Sequence, residues 1–161
     1  SSNNPRITDI NHMTNLQQLN ASRTCGIDDS SIQNLNLIKL KASGNEKITD
    51  VNHMTNLRIL DASWYCGIGN PGIRNLNLIK LNANDNSGIT DVNHMTNLRT
   101  LSASNYDESD VCGIGNSGMH NLNLIKLCAS KNPKITDVNH MINLQTLYAN
   151  GSCGIDDSGI R

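Results

Sequence analysis

The sequence predicts an α/β solenoid: a concave parallel sheet of about seven short strands, backed by a convex side of turns and short 3-10 or α segments. Three interleaved repeats predict it. The segment Ile7-Thr8-Asp9-Ile10-Asn11-His12-Met13-Thr14-Asn15-Leu16 recurs, with small changes, from Ile48, Ile89 and Ile135, at spacings of 41, 41 and 46 residues. The triplet Cys-Gly-Ile recurs at Cys25, Cys66, Cys112 and Cys153, at spacings of 41, 46 and 41. Between them runs Asn-Leu-x-x-Leu-x-Ala, whose first leucines are Leu16, Leu37, Leu57, Leu78, Leu98, Leu124 and Leu144, in steps of 21, 20, 21, 20, 26 and 20. Each long unit therefore holds two related short ones. A unit of this length cannot bury its own apolar face and is stable only when stacked between neighbours.

The strand comes first. In Leu-x-x-Leu-x-Ala the apolar side chains point inward and the intervening residues face out, so seven copies line one concave parallel sheet. A 20 or 21-residue period of this kind, followed by Asn or Cys and then Ile, resembles the leucine-rich-repeat family over essentially the whole chain. Odd units, such as Leu57 to Ile68, resemble cysteine-containing repeats. Even units place Asn45, Asn86 and Asn132 at the family's asparagine position, and the Ile-Thr-Asp-Val run is similar to internalin-type repeats. The resemblance implies a right-handed superhelix and a binding role for the concave face. The chain departs from the family pattern where Ala replaces the usual third Leu and where Met54 and its equivalents replace a convex Leu.

The return arms alternate. Asp50, before Val51-Asn52-His53-Met54, is suited to cap a short helical or 3-10 turn, whereas Gly67, Gly69 and Gly72 suggest irregular backbone in the other arm. Asn precedes the first Leu in every unit, at Asn15, Asn36, Asn56, Asn77, Asn97, Asn123 and Asn143. One amide per rung, at about 4.8 Å spacing, predicts an asparagine ladder that satisfies backbone groups lacking strand partners. The whole chain, 1–161, reads as a single domain of seven strand units with incomplete coils at both ends and an insertion near 106–111.

Several repeated polar residues invite a chemical reading that the geometry opposes. His12, His53, His94 and His140 recur two rungs apart, about 10 Å, whereas zinc ligands each sit about 2.0 Å from their ion, so no metal site is expected. The same distance prevents disulfides among Cys25, Cys66, Cys112 and Cys153, which read as small buried side chains. Cys128 takes an outward strand position, but no base is placed to activate it. Asp9, Asp50, Asp91 and Asp137 read as turn caps, and no phosphate-cradling loop is present. No catalytic residues and no cofactor are expected, and the chain does not read as an enzyme.

Positions that differ among copies are those that the fold leaves free. One outward row runs Gln18, Lys39, Ile59, Lys80, Thr100, Lys126, Thr146, and the next runs Asn20, Lys41, Asp61, Asn82, Ser102, Cys128, Tyr148. A third follows each strand: Arg23, Gly44, Trp64, Asp85, Asn105, Lys131, Gly151. Large side chains on this polar face are interface anchors. The candidate partner-binding residues are therefore Lys39, Ile59, Asp61, Trp64, Lys80, Lys126 and Tyr148, joined by Asp107, Glu108 and Asp110 of the insertion loop. The expectation is a non-catalytic protein-binding scaffold. The alternative is a self-assembling repeat array, or an engineered or excised piece of a longer one, with self-association through uncapped ends. A formal net charge of -1 gives no general attraction to nucleic acid or membrane, and no partner of either kind is expected. Unpaired thiols favour a cytoplasmic, reducing compartment.

Overall fold

The computed structural model describes residues 4–106 and 111–161. Seven three-residue strands form one parallel sheet in chain order: β1 (Gln18–Asn20), β2 (Lys39–Lys41), β3 (Ile59–Asp61), β4 (Lys80–Asn82), β5 (Thr100–Ser102), β6 (Lys126–Cys128) and β7 (Thr146–Tyr148). The central leucines pair in register from Leu19 to Leu147, so every outward row lies where the repeat alignment puts it. The longer step before β6 shifts nothing: Thr100 still pairs with Lys126. The core is a stack of layers. Leu40, Leu60, Leu81, Leu101 and Leu127, with Ala21, Ala42, Ala62, Ala83, Ala103 and Ala129, are sealed from solvent, as are Met54 and Met95 on the return side.

The helical segments fall on the opposite arm from the one expected. They are α1 (Asp29–Ile32), α2 (Asn70–Ile73) and α3 (Asn116–Met119), all in the glycine-containing arm. Asp28 caps α1 by accepting from the Ser31 backbone N–H at 3.0 Å, and the Ser31 and Ser30 hydroxyls hold its carboxyl below the usual carboxylate range. In α2 and α3 the cap positions are Gly69 and Gly115, with no side-chain bond. A methyl on Gly118 would overlap the Thr90 carbonyl oxygen, and one on Gly72 that of Thr49, so these arms can approach their neighbours only without a Cβ.

The Ile-Thr-Asp-Val arm is instead a run of tight turns, with Met54 N–H donating to Val51 O at 3.1 Å and Leu57 N–H to Met54 O at 2.9 Å. Asp50 accepts from Asn52 N–H two residues on, at 2.8 Å, and Asp9, Asp91 and Asp137 do the same. These aspartates close Asx turns, as turn caps, and start no helix.

The asparagine row before the first Leu does not hold the coil interior together. Asn36, Asn77 and Asn123 accept only from the next rung's Asn56, Asn97 and Asn143 N–H groups, near solvent, so the contacts come in pairs and not as a continuous ladder. The interior amides are Asn45, Asn86 and Asn132, each buried. Asn86 Nδ2 donates to Ala62 O at 2.7 Å and Ile68 O at 3.0 Å, while its Oδ1 accepts from Gly88 and Ile89 N–H at 2.8 and 3.2 Å. The reason is position: an amide behind the strand faces the enclosed turn, where backbone groups have no water to bond, whereas one ahead of the first Leu lies at the solvent edge.

Candidate functional site

The variable rows form one continuous surface, and the structure places the expected residues on it unevenly. Lys39, Lys80 and Lys126 stand in one column on alternate rungs, with Ile59 half-buried between the first two. Lys126 Nζ sits 5.0 Å from the centre of the Tyr148 ring, a cation over an aromatic face that ties two of the expected residues together. Asp61 is engaged within the protein: its Oδ1 accepts from Ser63 Oγ at 2.6 Å and from Asn82 Nδ2 at 3.1 Å. It therefore orders the face and is a weaker contact candidate than its position suggested.

Trp64 lies in the third row, beyond the strand. Its indole is 5.1 Å from the Tyr106 ring, tilted by 45°, yet stays 41% exposed. With Tyr65, 68% exposed, three of the chain's four aromatic rings gather at this one corner, and the fourth is Tyr148. The contact spans two rungs. Tyr106 is the repeat equivalent of Tyr65, one long unit later, which is why it arrives on the same edge.

The third row also carries a backbone signature. Arg23, Gly44, Trp64, Asp85, Lys131 and Gly151 all have φ between 53° and 66°, in the left-handed region, and Tyr65 is at 22°. A non-glycine residue held there costs about 1 kcal/mol or more. The column was missed from the sequence, although Gly44 and Gly151 at equivalent positions were its signal. Asn105 is the exception, at the base of the insertion. There Asn105 Oδ1 accepts from Cys112 N–H at 2.7 Å, Asp85 Oδ1 accepts from Tyr106 N–H at 2.7 Å, and Lys131 Nζ donates to Tyr106 O at 2.7 Å. Asp107, Glu108 and Asp110 lie outside the described residues.

The remaining repeated groups have framework contacts. His53 and His94 place Nε2 3.1 Å from the Ile32 and Ile73 carbonyl oxygens of the neighbouring arm. Cys25, Cys66 and Cys112 are free and buried, and burial pushes the Cys66 and Cys112 thiols up to about 11. Such thiols are protonated and unreactive at neutral pH. Cys128, half-buried, pairs in register with Ser102 and Tyr148. Among the described residues, no helix is long and apolar enough to cross a membrane.

A solved internalin from Listeria monocytogenes is similar to this chain, with a TM-score of 0.54 and 22% identity over 88% of this chain and 44% of that one. The fold is a leucine-rich-repeat solenoid. The chain spans less than half the length of that internalin, and at this identity the likeness concerns the fold. No family model matches the sequence, and no curated protein is similar to it.

Proposed function

We infer that the chain is a non-catalytic protein-binding scaffold that meets its partner with the concave face and the aromatic corner beside it. One observation carries the reading: the outward strand positions and the row after them differ among copies and line one surface, on which Trp64 and Tyr148 are exposed and Ile59 is half-buried. Trp and Tyr offer large contact area for little loss of side-chain freedom, and they dominate interface energetics. Asp107, Glu108 and Asp110 belong to the same reading, since they follow Tyr106 directly. The alternating units belong to the cysteine-containing and internalin-like repeat types within a single domain over 1–161. The unpaired, buried cysteines support a reducing compartment such as the cytoplasm.

The test uses Trp64→Gly together with Ile59→Ala and Tyr148→Ala. Glycine relieves the left-handed backbone at position 64, worth about 1 kcal/mol, and forfeits ring packing with Tyr106 of about the same size, so stability is expected to hold. Capture of a partner from the native extract should be lost while the urea midpoint stays put. Capture that survives all three changes would refute the reading.

A second reading rests on the last rung, where Val138, Met141, Leu144, Leu147 and Ile160 line a hollow of about 490 Å³. In this reading a second copy of the chain covers that surface. Light-scattering mass that grows with concentration supports the second copy; a constant monomer mass excludes it.

A further inference from the structure

The column just ahead of the strands alternates in a way that the repeat pattern alone does not require. It reads Gln17, Ile38, Arg58, Ile79, Arg99, Ile125, Gln145, and each backbone N–H donates to the carbonyl of the previous member at 2.8 to 3.0 Å, so the column is as regular as the sheet. Ile38, Ile79 and Ile125 are 42%, 47% and 39% exposed. Each is followed in sequence by an outward lysine: Lys39, Lys80, Lys126. Arg58 and Arg99 fill the rungs between, each held by Nη1 bonds of 3.0 to 3.1 Å to carbonyls of its own rung.

The face is also charge-segregated. Across this column and the two outward strand rows stand Lys39, Lys41, Arg58, Lys80, Arg99 and Lys126 against a single carboxylate, Asp61, which is occupied by Ser63 and Asn82. The near-neutral net charge thus hides a basic strip, its balancing acids lying mainly on the return arms. Beside Arg99 and Ile125 a hollow of about 450 Å³ is lined by Asn121, Asn123, Asn143 and Gln145.

The spacing of this strip selects a ligand conformation. Equivalent Ile-Lys pairs recur every two rungs, about 9.6 Å. A polyproline II segment repeats its face every three residues, at about 3.1 Å each, or about 9.3 Å. An extended strand advances about 9.9 Å in three residues, but residues i and i+3 then point to opposite sides. We propose that the strip Ile38 to Lys126 binds an acidic, proline-rich segment of a protein partner, lying across the rungs as a polyproline II helix with a carboxylate at every third residue. The carboxylates meet Lys39, Lys80 and Lys126, the arginines flank them, and the proline rings cover Ile38, Ile79 and Ile125. Over the two periods joining the three lysines, the mismatch accumulates to about 0.6 Å, well within the reach of a lysine side chain.

The inference rests on the reading of this side as a protein-binding face, and its test separates the two. Fluorescein-labelled (Glu-Pro-Pro)4 is titrated with the full chain at low ionic strength, against a peptide of the same composition whose glutamates are contiguous. The periodic peptide should bind at least tenfold more tightly, and Lys39→Gln/Lys80→Gln/Lys126→Gln should lose at least tenfold with an unchanged far-UV spectrum. Equal affinity for the two peptides, or no binding of either, overturns the proposal. A charge-matched oligothymidylate that binds as tightly as the periodic peptide also overturns it, since phosphates would then serve as well. If the peptides fail while the Trp64→Gly, Ile59→Ala and Tyr148→Ala changes still abolish partner capture, the concave-face reading stands and only this inference falls.

Discussion

Replacing Asn86 with Ala tests how the rungs are held. The amide makes four hydrogen bonds, to the Ala62 and Ile68 carbonyls and from the Gly88 and Ile89 N–H groups. Gly88 is exposed, so water can replace its bond, while the other three backbone groups stay enclosed. At about 1 kcal/mol or slightly more for each orphaned buried group, the loss is about 3–4 kcal/mol. For a chain of this size that lowers Tm by roughly 10 °C. The control is Asn77→Ala, which removes a 2.9 Å bond from Asn97 N–H and a 3.2 Å bond to Thr96 Oγ1, both at the solvent edge. It should cost less than about 1 kcal/mol, because water takes over both partners. Urea unfolding followed by far-UV circular dichroism measures both. Equal losses, or a loss below about 1 kcal/mol for Asn86→Ala, would refute the assignment of the interior role to the Asn45, Asn86, Asn132 row.

The Cys66 and Cys112 thiols are raised from 9.0 to about 11 by burial, so between those values the folded state holds protons that the unfolded state releases, and stability falls as pH rises through that window. Cys66→Ala and Cys112→Ala should each flatten the decline in the urea midpoint between pH 9 and 11, and an unchanged slope refutes the shift. Gly118→Ala sets a methyl on the Thr90 carbonyl oxygen and should destabilise by about 2–3 kcal/mol, whereas Gly44→Ala, with its nearest side-chain atom at 3.6 Å, incurs only the left-handed backbone strain of about 1 kcal/mol. A reversed order in urea midpoints would contradict the close-packing account of the α3 arm.

Much of the candidate face could be read from the repeat alignment, because a residue's inward or outward direction along a strand depends only on its place in Leu-x-x-Leu-x-Ala. Lys39, Ile59, Lys80, Lys126 and Tyr148 therefore stand where the alignment put them. The partners of these side chains were not legible. Asp61 bonded to Asn82, and Trp64 against Tyr106, are contacts between rungs, and alignment fixes a residue's rung without fixing its rotamer.

The sequence by itself determined the strand count, the register and the inward leucines, since a 20 or 21-residue period leaves one way to stack apolar faces. Only the tertiary structure decided which arm turns helically, which asparagine row fills the coil interior, and that the third residue past each strand turns left-handed in six of seven copies. Each of these depends on how closely one backbone passes its neighbour. Gly118 against Thr90 O and Asn86 between Ala62 O and Ile68 O are set by distances between coils, and no reading within one repeat contains those distances.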